Sequence, residues 1–188
     1  VSVFNTPQLF GAPARWLHWL TFLLLLGSFG LGLTMVGLPV SPQKLKFYSW
    51  HKWIGVTVFL LAILRLGWHL INVQPGYPAR TPPWQRRAAR LMHWLIYALL
   101  LAIPLSGWVM SSALGVPTVY LGIWQLPDLV AKNKPLGEAL KIVHYILNKT
   151  LLVAVALHVL MALKHHFVDR DQVLHSMLPF VRGHWRTP

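Results

Sequence analysis

Cysteine is absent from the 188 residues, and only four residues are acidic. Without thiols there is no disulfide, no iron–sulfur cluster and no haem attached through C-x-x-C-H. A metal centre must use other donors, and ten histidines supply them; thiolate-rich sites are excluded, while noncovalent haem, copper and zinc stay open. The four carboxylates, Asp128, Glu138, Asp169 and Asp171, all fall outside the long apolar runs. No chain of Asp and Glu crosses those runs, which argues against proton pumping. Charge is scarce altogether: 11% of residues are charged, against about 25% in a soluble domain. Hydrophobic residues make up 55% and the mean hydropathy is +0.52, the composition of an integral membrane protein.

Four apolar runs, residues 16–38, 50–71, 91–113 and 141–167, are long enough to cross a bilayer as helices. The expected fold is an all-α membrane protein, one domain over residues 1–188, built as a four-helix transmembrane bundle. No apolar signal segment precedes the first run, which is expected to act as its own insertion signal. Pro13 fits the first turn of helix one. Gly27, Gly30 and Gly32 lie along one side of it, where they either let helices approach or make room for a cofactor. Pro104 is expected to kink helix three, with Ser106 and Gly107 absorbing the freed backbone groups. In the longest loop, 114–138, the piece TVYLGIWQLPDLV is too short to span and is expected along the interface or over the bundle mouth. Residues 168–188 form a polar tail.

Four crossings put both termini on one side. All nine arginines belong to that side, in the N-terminus, the second loop (Arg80, Arg86, Arg87 and Arg90), the tail, or the near end of helix two (Arg65). With Lys164 they make ten cations, against seven lysines opposite: Lys44, Lys46, Lys52, Lys132, Lys134, Lys141 and Lys149. The positive-inside rule then places both termini in the cytoplasm of a multi-pass inner-membrane protein. The net charge of +13 follows from topology and from anionic lipid headgroups as partners, not from nucleic acid.

With this topology each histidine has a depth. His144 and His158 stand fourteen residues apart on helix four, about 21 Å along the axis and within about 40° of the same face. His51, at the start of helix two, shares the outer level with His144. His18, near the start of helix one, shares the inner level with His158. Two pairs of imidazoles from different helices suit six-coordinate haem b, one near each side of the bilayer, and filled axial positions favour electron transfer over oxygen binding. His93 also lies at the inner level, as a competing ligand, as a partner for a haem propionate or quinone oxygen, or as an interfacial residue. His69, His165, His166, His175 and His184 are read as interface or tail residues. Arg15, one turn before His18, Lys52, beside His51, and Arg65, fourteen residues after His51, are candidate propionate partners. For Arg65 the alternative is snorkelling to lipid phosphate.

The segments RWLHWLTF, YSWHKWIG with Arg65, RLMHWLIYALLLAIPLSGWVM, and HYILNKTLLVAVALH with its trailing KHHF resemble the bacterial cytochrome b-561 family, also described as the b-type cytochromes of nickel–iron hydrogenases. The resemblance covers nearly the whole chain. It implies two noncovalent haems b with His18, His51, His144 and His158 as iron ligands. Where the family often has Trp-His-Glu, this chain has Val143-His144-Tyr145, which removes an acidic group near the outer haem. Small stand-alone members resemble superoxide oxidase, which passes electrons from superoxide to ubiquinone; others link a dehydrogenase or hydrogenase to the quinone pool. The resemblance thus implies quinone, with ubiquinone as substrate, and superoxide or a periplasmic redox protein as partners. The outer lysines would attract a small anion or an acidic protein, with lipid headgroups as the plain alternative. Lys52, Lys132 and Lys134 are the candidate catalytic residues for collecting superoxide. The expected function is superoxide:ubiquinone oxidoreductase, with a non-catalytic electron-transfer subunit as the alternative.

Overall fold

The computed structural model describes residues 2–78 and 81–179; Arg80, Arg182, His184 and Arg186 lie outside the described residues. Four long helices, α1 (Ala12–Gly37), α2 (Pro42–Ile71), α3 (Pro83–Ala113) and α4 (Lys134–Lys164), are each long and apolar enough to cross a membrane. All four begin ahead of their apolar runs. A proline sits at the first or second position of each (Pro13, Pro42, Pro83 and Pro135), where its missing N–H is no loss and its φ is preset for a helix. The Ser41 hydroxyl accepts from the Lys44 N–H at 3.3 Å, and Asn133 Oδ1 accepts from the Leu136 N–H at 3.1 Å. These caps extend the helices through polar residues that hydropathy does not mark. Pro104 sits inside α3, and the helix continues through it.

Helix α1 packs on α2, α2 on α3, and α3 on α4. Against α1 and α2, α4 stands off, and imidazole rings bridge the gaps. Between the two histidine levels lies the buried core, with Val58 and Ala62 of α2, Leu99, Leu100 and Ile103 of α3, and Leu151 and Ala154 of α4. Leu151 is seven residues from both His144 and His158, and Val58 is seven from both His51 and Arg65. Two helical turns, about 10 Å, thus separate an apolar middle from a polar layer at each end. Leu23, Leu26 and Leu33 of α1 point outward and are more than half exposed, as a lipid-facing surface requires.

The longest loop folds back over the outer end. Two short strands, β1 (Val119–Tyr120) and β2 (Trp124–Gln125), pair antiparallel, with Val119 opposite Gln125 and Tyr120 opposite Trp124. Leu121 and Gly122 between them have φ of 53° and 74°, the left-handed pair of a primed hairpin turn. Trp53 Nε1 donates to the Val119 carbonyl at 2.7 Å, Trp108 Nε1 to the Pro127 carbonyl at 3.0 Å, and the Tyr120 and Thr57 hydroxyls lie 2.9 Å apart. At the other end α4 widens into a π-helical turn, His165–Asp169, followed by a short helix α5 (Val173–Met177). The polar tail does not leave the bundle at once. Trp19 Nε1 donates to the Met177 carbonyl at 2.8 Å and Arg15 Nη1 to that of Leu178 at 3.1 Å, which ties α5 to the start of α1.

Candidate functional site

The structure brings the outer pair together between two and three turns into α2 and α4. The rings of His51 and His144 lie 6.4 Å apart, centroid to centroid, at 82° to each other. His51 Nδ1 is 3.1 Å from the Ser28 carbonyl. A carbonyl only accepts, so Nδ1 carries the proton and Nε2 is left bare. Ser106 reaches the same result for His144. Its hydroxyl proton goes to the Ile103 carbonyl at 2.7 Å, so its oxygen accepts from His144 Nδ1 at 2.9 Å. A glycine makes room at each ring. A Cβ at Gly107 would meet His144 Cε1 at 3.2 Å, and one at Gly32 would meet His51 Cε1 at 3.6 Å. Gly27 and Gly30 face no histidine, so of that stripe Gly32 alone adjoins a candidate ligand.

The inner pair is similar in spacing and different in its support. The rings of His18 and His158 lie 6.2 Å apart at 52°. Arg65 Nη2 donates to His18 Nδ1 at 3.1 Å, and the guanidinium lies 5.6 Å from the Tyr97 ring. Arg65 is therefore turned into the bundle, between α1 and α3. The ring of His93 approaches His158 to 5.4 Å, nearly edge-on, and His69 packs between Trp94 and Tyr97 at 5.9 Å from each.

These distances can be tested against a metal held between two imidazoles. Two metal–nitrogen bonds of about 2.0 Å, with about 1.1 Å from each nitrogen to its ring centroid, require about 6.2 Å between centroids. The separations of 6.4 and 6.2 Å meet that requirement, and the 5.4 Å of His93 and His158 falls short. The all-imidazole donor set, the bare Nε2 atoms of the outer pair, and the stand-off of α4 from α1 and α2 fit a haem held between helices.

The charged groups are placed unevenly. Arg15 is buried and committed at Nη1 to the Leu178 carbonyl. Lys52 is half-buried and donates to the Val116 and Pro117 carbonyls at 3.3 and 3.2 Å, so it fastens the outer loop. Lys44 donates to the Leu38 carbonyl, Lys141 pairs with Glu138, and Lys46 and Lys149 lie over the rings of Trp50 and Tyr145. Among the described residues this leaves Lys132 and Lys134, both exposed, as the outer cations without such a partner. At the inner end His165 is drawn to Asp171 at 2.6 Å and Asp169 at 3.2 Å, with Lys164 on Asp169. Those four make one cluster, and His166 packs on His175 at 5.1 Å. Sequence reasoning missed Ser28 and Ser106 as partners of the outer rings. Their signal was faint: one small polar residue on each neighbouring helix at the histidine's depth.

The family described as Prokaryotic cytochrome b561 matches residues 9–180. The chain is 35% identical over 179 residues to cytochrome b561 homolog 2 of Escherichia coli K12, covering 95% of each chain. It is 28% identical over 171 residues to a probable superoxide oxidase CybB of Yersinia pestis, covering 89% of this chain and 94% of that one. It is 29% identical over 174 residues to cytochrome b561 homolog 1 of Escherichia coli K12, covering 90% and 97%. With four membrane-crossing helices and an all-histidine donor set, the chain belongs to the prokaryotic cytochrome b561 family, whose members are multi-pass membrane electron carriers that bind b-type haem.

Proposed function

We propose that the protein is a superoxide:ubiquinone oxidoreductase carrying two haems b, one held by His51 and His144 and the other by His18 and His158. The observation that carries this reading is the pair of ring separations, 6.4 and 6.2 Å, at two levels of one bundle. Haem b held by these imidazole pairs would supply a one-electron iron couple. The chain's own residues do the rest. Ser28 and Ser106 hold the outer imidazoles in the tautomer that leaves Nε2 free. The apolar layer around Val58, Leu100 and Leu151 keeps water out between the two levels. Arg65 supplies the positive charge at the inner level, where a propionate would need one.

The overall reaction balances as two superoxide anions, one quinone and two protons giving two dioxygen molecules and one quinol. Lys132 and Lys134, exposed beside the hairpin that covers the outer mouth, attract the anion; Lys52 shapes that mouth by holding the loop. The orientation with both termini in the cytoplasm makes this face periplasmic. The name of the Yersinia relative supports the reading at 28% identity. The second reading, a non-catalytic subunit that passes electrons from a redox partner, is favoured by the hairpin tip, where Ile123 and Trp124 are 88% and 73% exposed. Stopped-flow absorbance separates the two. Superoxide is mixed with the oxidised, purified protein, with and without ubiquinone. Fast haem reduction followed by reoxidation by quinone supports the enzyme. Slow reduction of an intact two-haem spectrum refutes it in favour of the carrier.

A further inference from the structure

At its far end α4 runs into the π-helical turn His165–Asp169, and α5 follows. Three metal-binding side chains gather there. His165 Nδ1 lies 2.6 Å from Asp171 Oδ2 and 3.2 Å from Asp169 Oδ2. One ligand atom from each residue falls within 4.8 Å of the others, and no other such group of three occurs among the described residues. The backbone builds the grouping. The wide turn puts Asp169 one turn from His165 and in contact with it. Arg170, at φ 53°, then turns the chain back, so that the Asp171 N–H donates to the His165 carbonyl at 3.1 Å. The Val173 N–H occupies Asp171 Oδ1 at 3.0 Å and leaves Oδ2 to the imidazole. The chain has 17 basic residues and four acidic ones, yet two of those four meet at one imidazole nitrogen. Among the described residues their ion pairs run to Lys164 and His165, not to Arg170 between them. Lys164 balances one carboxylate. A neutral imidazole carries at most one proton at Nδ1, so one negative charge is left over, beside a nitrogen able to ligate a metal.

We propose that His165, Asp169 and Asp171 bind a divalent cation of the zinc class, with water in the fourth position, and that the ion clips the end of α4 to α5. A tetrahedral zinc ion with bonds of about 2.1 Å holds its ligand atoms about 3.4 Å apart. The His165–Asp169 separation already has that spacing, and the other atoms reach it by shifts of about 1.4 Å or less. One imidazole with two carboxylates suits zinc, whereas calcium and magnesium take all-oxygen sets. The ion takes the place of Lys164, whose Nζ lies 2.9 and 2.7 Å from the two Asp169 oxygens. The His165 and Asp171 side chains are 15% exposed and that of Asp169 is 30% exposed, which shelters the site and leaves one side open for entry. Trp19 and Arg15 tie the end of α5 to α1, so a clip here closes a ring of contacts at this end of the bundle. The site is independent of the oxidoreductase reading.

Zinc chloride titration of the haem-loaded protein, free of affinity tags and cleared of metal with a chelator, tests it. Bound zinc is counted after equilibrium dialysis, and haem spectra report that each variant is folded. The unaltered chain takes up one zinc ion, and millimolar calcium does not displace it. His165→Ala and Asp171→Asn, the second of which keeps an acceptor for the Val173 N–H, weaken binding at least tenfold, since even the outer partners of metal ligands are worth about 10- to 100-fold. Lys164→Gln removes the resident cation and tightens binding up to about fivefold, the range of an exposed ion pair; misfolding cannot mimic that gain. His175→Ala, beside the cluster and outside the ligand set, leaves the affinity unchanged. Failure of the unaltered chain to bind zinc overturns the site. So does an affinity unchanged in both His165→Ala and Asp171→Asn, or lowered as much in His175→Ala as in His165→Ala, either of which means adventitious binding only. An affinity that does not rise in Lys164→Gln removes Asp169 from the ligand set and overturns the site as drawn. Displacement by calcium overturns the zinc assignment.

Discussion

Replacing Ser106 with alanine removes the acceptor that fixes His144. The Ser106 oxygen lies 2.9 Å from His144 Nδ1, and its own proton is spent on the Ile103 carbonyl. A hydrogen bond at the distal nitrogen makes an imidazole a stronger electron donor to its metal. That favours the more positively charged ferric state, so its loss raises the midpoint potential of the outer haem. One net hydrogen bond is worth about 1 kcal/mol. With about 59 mV for each tenfold in a one-electron couple, and a tenfold change equal to about 1.4 kcal/mol, the shift is about 40 mV upward if the bond acts on the ferric state alone. The inner pair shares no hydrogen bond with Ser106 and keeps its potential. Spectroelectrochemical titration resolves the two components, and Ser106→Thr, which restores the hydroxyl, returns the outer one toward its original value. Equal shifts in both haems, or no shift in either, would refute the assignment of Ser106 to the outer ligand.

Four further outcomes follow from the same geometry. Charge reversal at Lys132 and Lys134 lowers the superoxide rate constant about tenfold at low salt, and the difference disappears near 1 M salt, where the screening length is about 3 Å; a salt-independent deficit would mean damage to the loop. His158→Ala loses the inner haem and keeps the outer spectrum, read by pyridine haemochrome content and low-temperature spectra. Leu151→Ala opens a cavity in the apolar layer and costs about 2–5 kcal/mol of stability, visible as a lowered detergent-phase melting temperature with both haems still bound. In haem titration of the apoprotein the outer pair fills before the inner one, because Arg65 occupies His18 Nδ1, and Arg65→Met removes the lag; simultaneous filling in the unaltered protein would count against it.

The parts legible in the sequence are those that a single helix determines. The fourteen-residue spacing of His144 and His158 needs only helical periodicity and a bilayer's width, so depth and face follow without any neighbour. Helix starts were not legible from hydropathy, because Pro42, Ser41 and Asn133 extend α2 and α4 into polar segments. The hairpin at residues 119–125 has strands of two residues each, too short for a pattern, and is held by Trp53, Thr57 and Lys52 from another helix. Arg65 could be placed at the inner level by counting from His51, but its bond to His18 depends on how α1 and α2 pack. Gly107 looked like relief for Pro104; its tight approach to the His144 ring exists only once α3 meets α4. Lys52, grouped with the anion-collecting lysines, is used by the loop.

The two ends of the bundle differ in what surrounds the distal nitrogens of their histidines. At the outer end His51 and His144 each face an acceptor there: the Ser28 carbonyl, with the Ser28 hydroxyl beside it, and a Ser106 hydroxyl whose proton is already committed. Both Nε2 atoms are bare before any metal arrives, so that pair is set in place by the fold. At the inner end Arg65 donates to His18 Nδ1, and a guanidinium cannot accept. The proton of a neutral His18 must then sit on Nε2, where a metal would bind. His18 becomes a ligand through that nitrogen only when Arg65 turns elsewhere, and the groups able to draw it are anions or carbonyl acceptors. Arg65 also lines a cavity at the inner end, between α1, α2 and α3. One guanidinium thus reaches both His18 and the cavity, and an acceptor that drew Arg65 away from His18 would change the donor strength of that imidazole. The outer pair has no such link to the cavity.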